Sequence, residues 1–97
     1  MMLTAKKKQS IVEKFKTHEK DTGSPEVQIA LLTVEINELA RHLKKNPKDF
    51  HSRRGLLKMV AERRSLMSYL SRKSEKRYNS LINKLKIKKG KNNVFDI

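Results

Sequence analysis

Apolar residues recur along this chain with the period of an α-helix, in four stretches. In the first, from about Thr4 to Thr17, Ile11, Val12 and Phe15 share one side while Lys7, Lys8 and Lys14 lie elsewhere. It is short and weakly apolar, which predicts a loosely docked helix. The second runs from Pro25 to about Lys45. There Ile29, Leu32, Ile36, Leu39 and Leu43 step by three, four, three and four residues, a continuous stripe. Val27, Ala30, Leu31 and Val34 widen it enough to face more than one neighbour. The third stretch turns Leu56, Leu57, Val60, Met67 and Leu70 inward and shows Arg53, Arg54, Lys58, Arg63, Arg64 and Arg72 on its other face. In the fourth, Tyr78, Leu81, Ile82 and Leu85 form a tight i, i+3, i+4, i+7 stripe.

The residues between the stripes read as helix starts and stops. After Asp21 and Thr22, Gly23 suits a turn, Ser24 can cap the second helix, and Pro25 takes its first position, where a missing N–H costs nothing. Glu26 then meets the positive end of the helix dipole. Asn46-Pro47 ends this helix, because a residue before proline avoids the helical region. Asp49 or Ser52 can cap the third helix, and Ser74-Glu75 marks the start of the fourth. The final KIKKGKNNVFDI has no period and predicts a mobile basic tail. The expected fold is all-α, with a short N-terminal helix docked on a three-helix antiparallel bundle. Residues 1–88 form its single domain, and 89–97 form a flexible tail.

Composition narrows the function. At 97 residues the chain fits one small domain and has little room for a deep catalytic cleft. Lysine and arginine number 24 against 10 acidic residues, for a net charge of +14, which calls for a polyanionic partner. The excess is uneven: +4 over residues 1–20, −1 over 21–50 and +11 over 51–97, so a cationic face on a helical body is expected. Without cysteine there is neither a disulfide framework nor a cysteine-bound zinc site, and three scattered histidines do not suggest a metal. No cofactor is expected. No apolar run approaches the roughly 18 residues of a membrane span, and the basic start lacks the apolar stretch of a secretory signal. The reading is a soluble, intracellular, polyanion-binding domain.

Short connections make long amphipathic helices antiparallel neighbours. From Gln28 to His42 is about 21 Å of helix, and the third helix runs back beside it. Thr22, Gly23 and Gln28 should therefore lie near Tyr69 and Arg72, and His42, Asp49 and Ser52 should meet at the opposite end. Two polar clusters bracketing a basic face can measure a shape, and folded RNA is the polyanion with a shape to measure.

Each candidate has a plainer reading. His42, Asp49 and Ser52 are the residue types of a catalytic triad, but a triad also needs a strained nucleophile turn and an oxyanion hole in a closed pocket; an enzyme is not expected. Asp49 and Ser52 also serve as capping residues, and a cap can still face RNA. There Asp accepts from an exocyclic amine while His and Ser bond base edges and 2′-hydroxyls. Tyr69 suits either a core edge or stacking on a nucleotide or ribose. Arg53, Arg54, Lys58, Arg64, Lys73 and Arg77 are the candidate phosphate contacts, with Arg63, Arg72 and Lys76 nearby. His18 and His51 carry no separable signal. A basic helical DNA-binding or chromatin-type module is the rival reading; Arg53 and Arg54 give it footing, yet it leaves the second cluster unexplained. A membrane-surface helix would want Trp, Phe or Leu facing lipid, and the chain has no Trp and spends its apolar stripes on packing.

The run Asp21-Thr22-Gly23-Ser24-Pro25-Glu26-Val27-Gln28, then Ala30-Leu31-Leu32-Thr33 and Ile36-Asn37, resembles the start of the second helix in the bacterial small-subunit ribosomal protein S-fifteen family. His42-Leu43-Lys44, Asp49, His51-Ser52-Arg53-Arg54-Gly55-Leu56-Leu57, Arg63-Arg64, Tyr69-Leu70 and Arg77-Tyr78 continue the likeness in order and spacing over about residues 4–88. The resemblance implies a four-helix protein that binds small-subunit rRNA early in assembly of the central domain. One end would hold a three-way junction through Thr22, Gly23, Gln28, Tyr69 and Arg72. The other would read a G·U/G·C motif in the minor groove through His42, Asp49 and Ser52. It further implies neighbouring small-subunit proteins, a bridge to large-subunit rRNA, repression of its own mRNA in some members, a monomer when free, and a place in the ribosome in the cytoplasm. This chain departs from the family's usual arginines at Glu35 and Ser65, and has Phe50 where a histidine is usual.

Overall fold

A computed structural model describes residues 5–16 and 23–85 of the chain, and among these the secondary structure is four α-helices without strands. They are α1 (Ala5–Phe15), α2 (Pro25–Lys45), α3 (Phe50–Lys73) and α4 (Glu75–Leu85). Thr4, Thr17, His18, Asp21, Thr22 and the 89–97 tail lie outside the described residues.

Helix boundaries follow the capping chemistry. Ser24 sits in the extended region, and its hydroxyl accepts from the Val27 N–H at 3.3 Å, with Pro25 opening α2 behind it. At the other end the Asn46 N–H donates back to the His42 carbonyl at 3.0 Å, and the Asn46 side chain reaches the same oxygen at 3.0 Å. Asp49 caps α3, its carboxylate accepting from the Ser52 N–H at 3.1 Å. Ser74 serves two helices. Its N–H donates to the Leu70 carbonyl at 2.8 Å and closes α3, while its hydroxyl accepts from the Arg77 N–H at 3.3 Å and opens α4. One extended residue therefore breaks what would otherwise be a continuous rod.

The four-residue connection folds α3 back along α2, and the core records the antiparallel register. Near the start of α2, Val27, Ile29 and Ala30 share a buried cluster with Leu70 of α3, Leu81 of α4 and Phe15 of α1. Toward its end, Ile36, Leu39 and Leu43 pack with Leu56 and Val60. The wide stripe of α2 thus meets several neighbours, as its sequence predicts. Helix α1 is held at two places: Phe15 is buried with Ile11 and Val12 against the first cluster, and Lys7 pairs with Glu38 in the middle of α2. Its weak apolar stripe alone predicts a looser contact.

Two expectations for α3 need correction. Leu57, expected inside, is 53% exposed, and Arg63, expected outside, is 4% exposed. The helical period explains both. Leu56, Val60, Arg63, Met67 and Leu70 step by four, three, four and three, so Arg63 falls on the buried line by position. Leu57 stands one residue round from Leu56, on a face that, among the described residues, no other helix covers. Arg63 fits there because its guanidinium donates to the Thr33 hydroxyl at 3.3 Å, which in turn donates to the Ile29 carbonyl at 2.8 Å.

Candidate nucleic-acid interface

The turn between α2 and α3 gathers three of the candidate residues. Asp49 is fixed as the α3 cap, Ser52 lies in the first turn of that helix, and His42 projects from the last turn of α2. The His42 Nε2 lies 2.8 Å from the Asp49 Oδ2, and the Ser52 hydroxyl donates to the same oxygen at 2.7 Å. The Ser52 N–H takes the Asp49 Oδ1. The Ser52 hydroxyl, the His42 ring and then the Ser52 N–H all favour the ionised form and hold the Asp49 carboxyl well below the usual carboxylate range. A carboxylate offers about four lone-pair directions; three are occupied, and the fourth, on Oδ1, can accept from an incoming amine. His42 and Asp49 are each about a third exposed, open enough to be touched.

This geometry differs from that of a hydrolytic triad. There the serine must donate to histidine, which then removes its proton. Here Ser52 donates to Asp49, so its oxygen is not activated. The cluster is a preformed pattern of hydrogen-bonding groups.

At the opposite end of the α2–α3 pair, the packing of Leu70 against Val27, Ile29 and Ala30 sets the neighbourhood of Tyr69 and Arg72. Gln28 donates its side-chain N–H to the Gly23 carbonyl at 2.7 Å, which joins the first turn of α2 to the loop before it. Gln28 also shares a shallow groove with Ala61, Glu62, Ser65 and Leu66, about one turn of α3 short of Tyr69. Tyr69 is 44% exposed, with the Lys73 ammonium 5.6 Å from its ring centre. Arg72 donates to the Ser68 hydroxyl at 2.9 Å, which extends its guanidinium along the helix surface. Four of the five expected junction residues therefore lie at this end, and Thr22 is outside the described residues.

The expected phosphate contacts divide into two groups. Arg54, Lys58, Arg64 and Lys73 stand exposed on α3. Arg53 is exposed too, but it donates to the Pro47 carbonyl at 3.1 Å and lies 5.9 Å from the Phe50 ring centre. Arg77 has a structural task. Its Nε and Nη2 donate to the buried Glu26 carboxylate, which fastens α4 to the first turn of α2. Sequence reasoning missed this pair, and no local signal links residues so far apart. Phe50, which the sequence marks as a departure from the usual histidine, has a second mark there: it is an aromatic outside every apolar stripe.

Comparison with known proteins gives the family. Residues 7–88 match the family described as Ribosomal protein S15. Three relatives carry the name small ribosomal subunit protein uS15. That of Carboxydothermus hydrogenoformans is 60% identical over 89 residues, covering 92% of this chain and all of the relative. That of Desulforudis audaxviator gives the same identity and coverage. That of Caldanaerobacter subterraneus is 59% identical over 88 residues, covering 91% of this chain and all of the relative. With four helices and a family match over nearly its whole length, the chain belongs to the ribosomal protein S15 family.

Proposed function

We propose that this chain is a structural component of the small ribosomal subunit, located in the ribosome in the cytoplasm, and that it works by binding small-subunit rRNA at two separated places. Family membership supports the coarse part: a small-subunit ribosomal protein partners rRNA and other ribosomal proteins. The finer part is that Gly23, Gln28, Tyr69 and Arg72, with Thr22, hold a three-way junction, while His42, Asp49 and Ser52 read a G·U/G·C motif in the minor groove. Exposed cations on α3 neutralise the phosphates between.

The observation that carries this reading is the Asp49 cluster. A capping aspartate that also orders a histidine and a serine at the protein surface has its hydrogen-bonding groups fixed before RNA arrives, so little ordering cost remains at binding. Shape and minor-groove contacts are the general means by which proteins tell one RNA helix from another. The resemblance to the family further supports a contact with large-subunit rRNA across the subunit interface, its own mRNA as a second target, and a monomeric free state, with residues 1–88 as the RNA-binding domain.

The test is a mobility-shift titration on a minimal rRNA three-way junction carrying the G·U/G·C motif, beside a straight RNA duplex and a DNA duplex of equal length, each at two salt concentrations. Junction binding that survives higher salt while both duplexes fall away is the expected result. Equal, salt-erased binding to all three would leave only a polycation, and a preference for the DNA duplex would favour the chromatin-type alternative.

A further inference from the structure

Among the described residues three large apolar side chains stay exposed, and Phe50 is the most exposed of them, at 66%. Phenylalanine supplies a large apolar area and usually goes inside. Here it begins α3 directly after the Asp49 cap, on the face turned from the core. It is also braced. The Arg53 guanidinium lies 5.9 Å from the ring centre and donates through its Nη2 to the Pro47 carbonyl at 3.1 Å, so ring and guanidinium are both tied to the turn.

The surroundings select the occupant. Lys48, Arg53 and Arg54 lie beside Phe50 in sequence and are all exposed, and the one acidic group nearby, Asp49, is engaged with His42 and Ser52. The next exposed apolar side chain along this face is Leu57, about 10 Å away along the helix, with Arg53 and Arg54 between. A protein partner would find an apolar patch only one ring wide inside a cationic rim. A nucleobase is planar, has a π-face of that size and brings its own phosphate to the rim.

We propose that Phe50, braced by Arg53, is a stacking platform for an unpaired nucleobase of the RNA, adjoining the paired motif that faces His42, Asp49 and Ser52. The inference rests on the rRNA reading above and adds a single-stranded contact to it. Paired bases are hidden in their stack and cannot lie on the ring, so the platform selects RNAs with a bulged or looped nucleotide at one distance from the motif.

The chain has no tryptophan, so Phe50→Trp supplies a sole indole that a stacked base quenches. The probes are a hairpin carrying the G·U/G·C motif without a bulge, and a series of the same hairpin with one unpaired adenine at successive positions on either side. Expected are quenching by one register of the series and little by the unbulged hairpin. Phe50→Ala and Phe50→Leu should each lose about tenfold in affinity for that bulged RNA, Phe50→Tyr should keep it, and all variants should bind the unbulged hairpin alike. Unchanged indole emission in every bulged complex, or full affinity in the Leu variant, would overturn the proposal, the latter marking a simple apolar contact. Failure of the unaltered protein on the unbulged hairpin would remove the rRNA reading itself and the platform with it.

Discussion

Arg77 and Glu26 stand 51 residues apart in sequence and meet through two hydrogen bonds, Nε to Oε2 at 2.6 Å and Nη2 to Oε1 at 2.7 Å. The pair fastens α4 to the start of α2, at the end of the helix pair that carries Gln28, Tyr69 and Arg72. Glu26 is buried, so removing Arg77 takes away the guanidinium that compensates its carboxylate charge.

Arg77→Ala is therefore expected to destabilise the fold by about 2 kcal/mol, less than for a fully buried pair because the arginine end is partly in solvent. Urea unfolding measures this. The same variant should leave the salt dependence of RNA-duplex binding unchanged; a slope reduced by a full contact would return Arg77 to the phosphate group.

The buried Arg63 gives a second expectation. Thr33 supplies it with an acceptor inside the α2–α3 interface, so Thr33→Val keeps the volume and deletes the hydroxyl. The loss should be about 1–2 kcal/mol, read from the shift in the denaturation midpoint. A neutral result would mean that the other contacts of Arg63 suffice.

The cap of α3 predicts a pH response. The folded Asp49 carboxyl titrates below its ordinary value of 3.8 because Ser52 and His42 favour the charged form. Its contribution is thus complete above the unfolded value and is lost as pH falls below that toward the folded one. Thermal unfolding between pH 5 and pH 2, about the range over which the unfolded carboxyl titrates, should show the native protein losing more stability than Asp49→Asn. Parallel curves would contradict the bonding described here.

Among the exposed cations, Arg64 is expected to contribute charge without sequence preference. Arg64→Ala should weaken binding to the junction and to straight duplexes alike and lower the salt slope by about one. A loss confined to the junction would make Arg64 a reader of shape instead.

Most of this fold was legible because periodicity and capping act locally. Ser24-Pro25 and Asn46-Pro47 set α2 at Pro25–Lys45, and Asp49 and Ser74 mark the starts of α3 and α4. The antiparallel pairing followed from the short turn, and with it the meeting of His42, Asp49 and Ser52. On α3 residue type and helical period disagree. An arginine reads as solvent-facing, yet the place of Arg63 in the Leu56–Val60–Met67–Leu70 line puts it inside; a leucine reads as core, yet Leu57 falls off that line. The Glu26–Arg77 pair was illegible for another reason. It depends on how α4 turns back at Ser74 over α2, a tertiary outcome that no local pattern encodes. The role of the Phe50 ring depends likewise on exposure, which sequence alone does not give.

The central claim is that two ends of one rigid helical pair read two different RNA features. It is tested most directly by measuring the affinities of Tyr69→Ala and Asp49→Ala for three RNAs: one with both junction and G·U/G·C motif, one with the motif replaced by plain Watson–Crick pairs, and one with the junction closed into a continuous duplex. Tyr69→Ala should lose affinity only where the junction is present, and Asp49→Ala only where the motif is present, each with little change in salt slope. Equal losses for both variants on all three RNAs would contradict the two-site account.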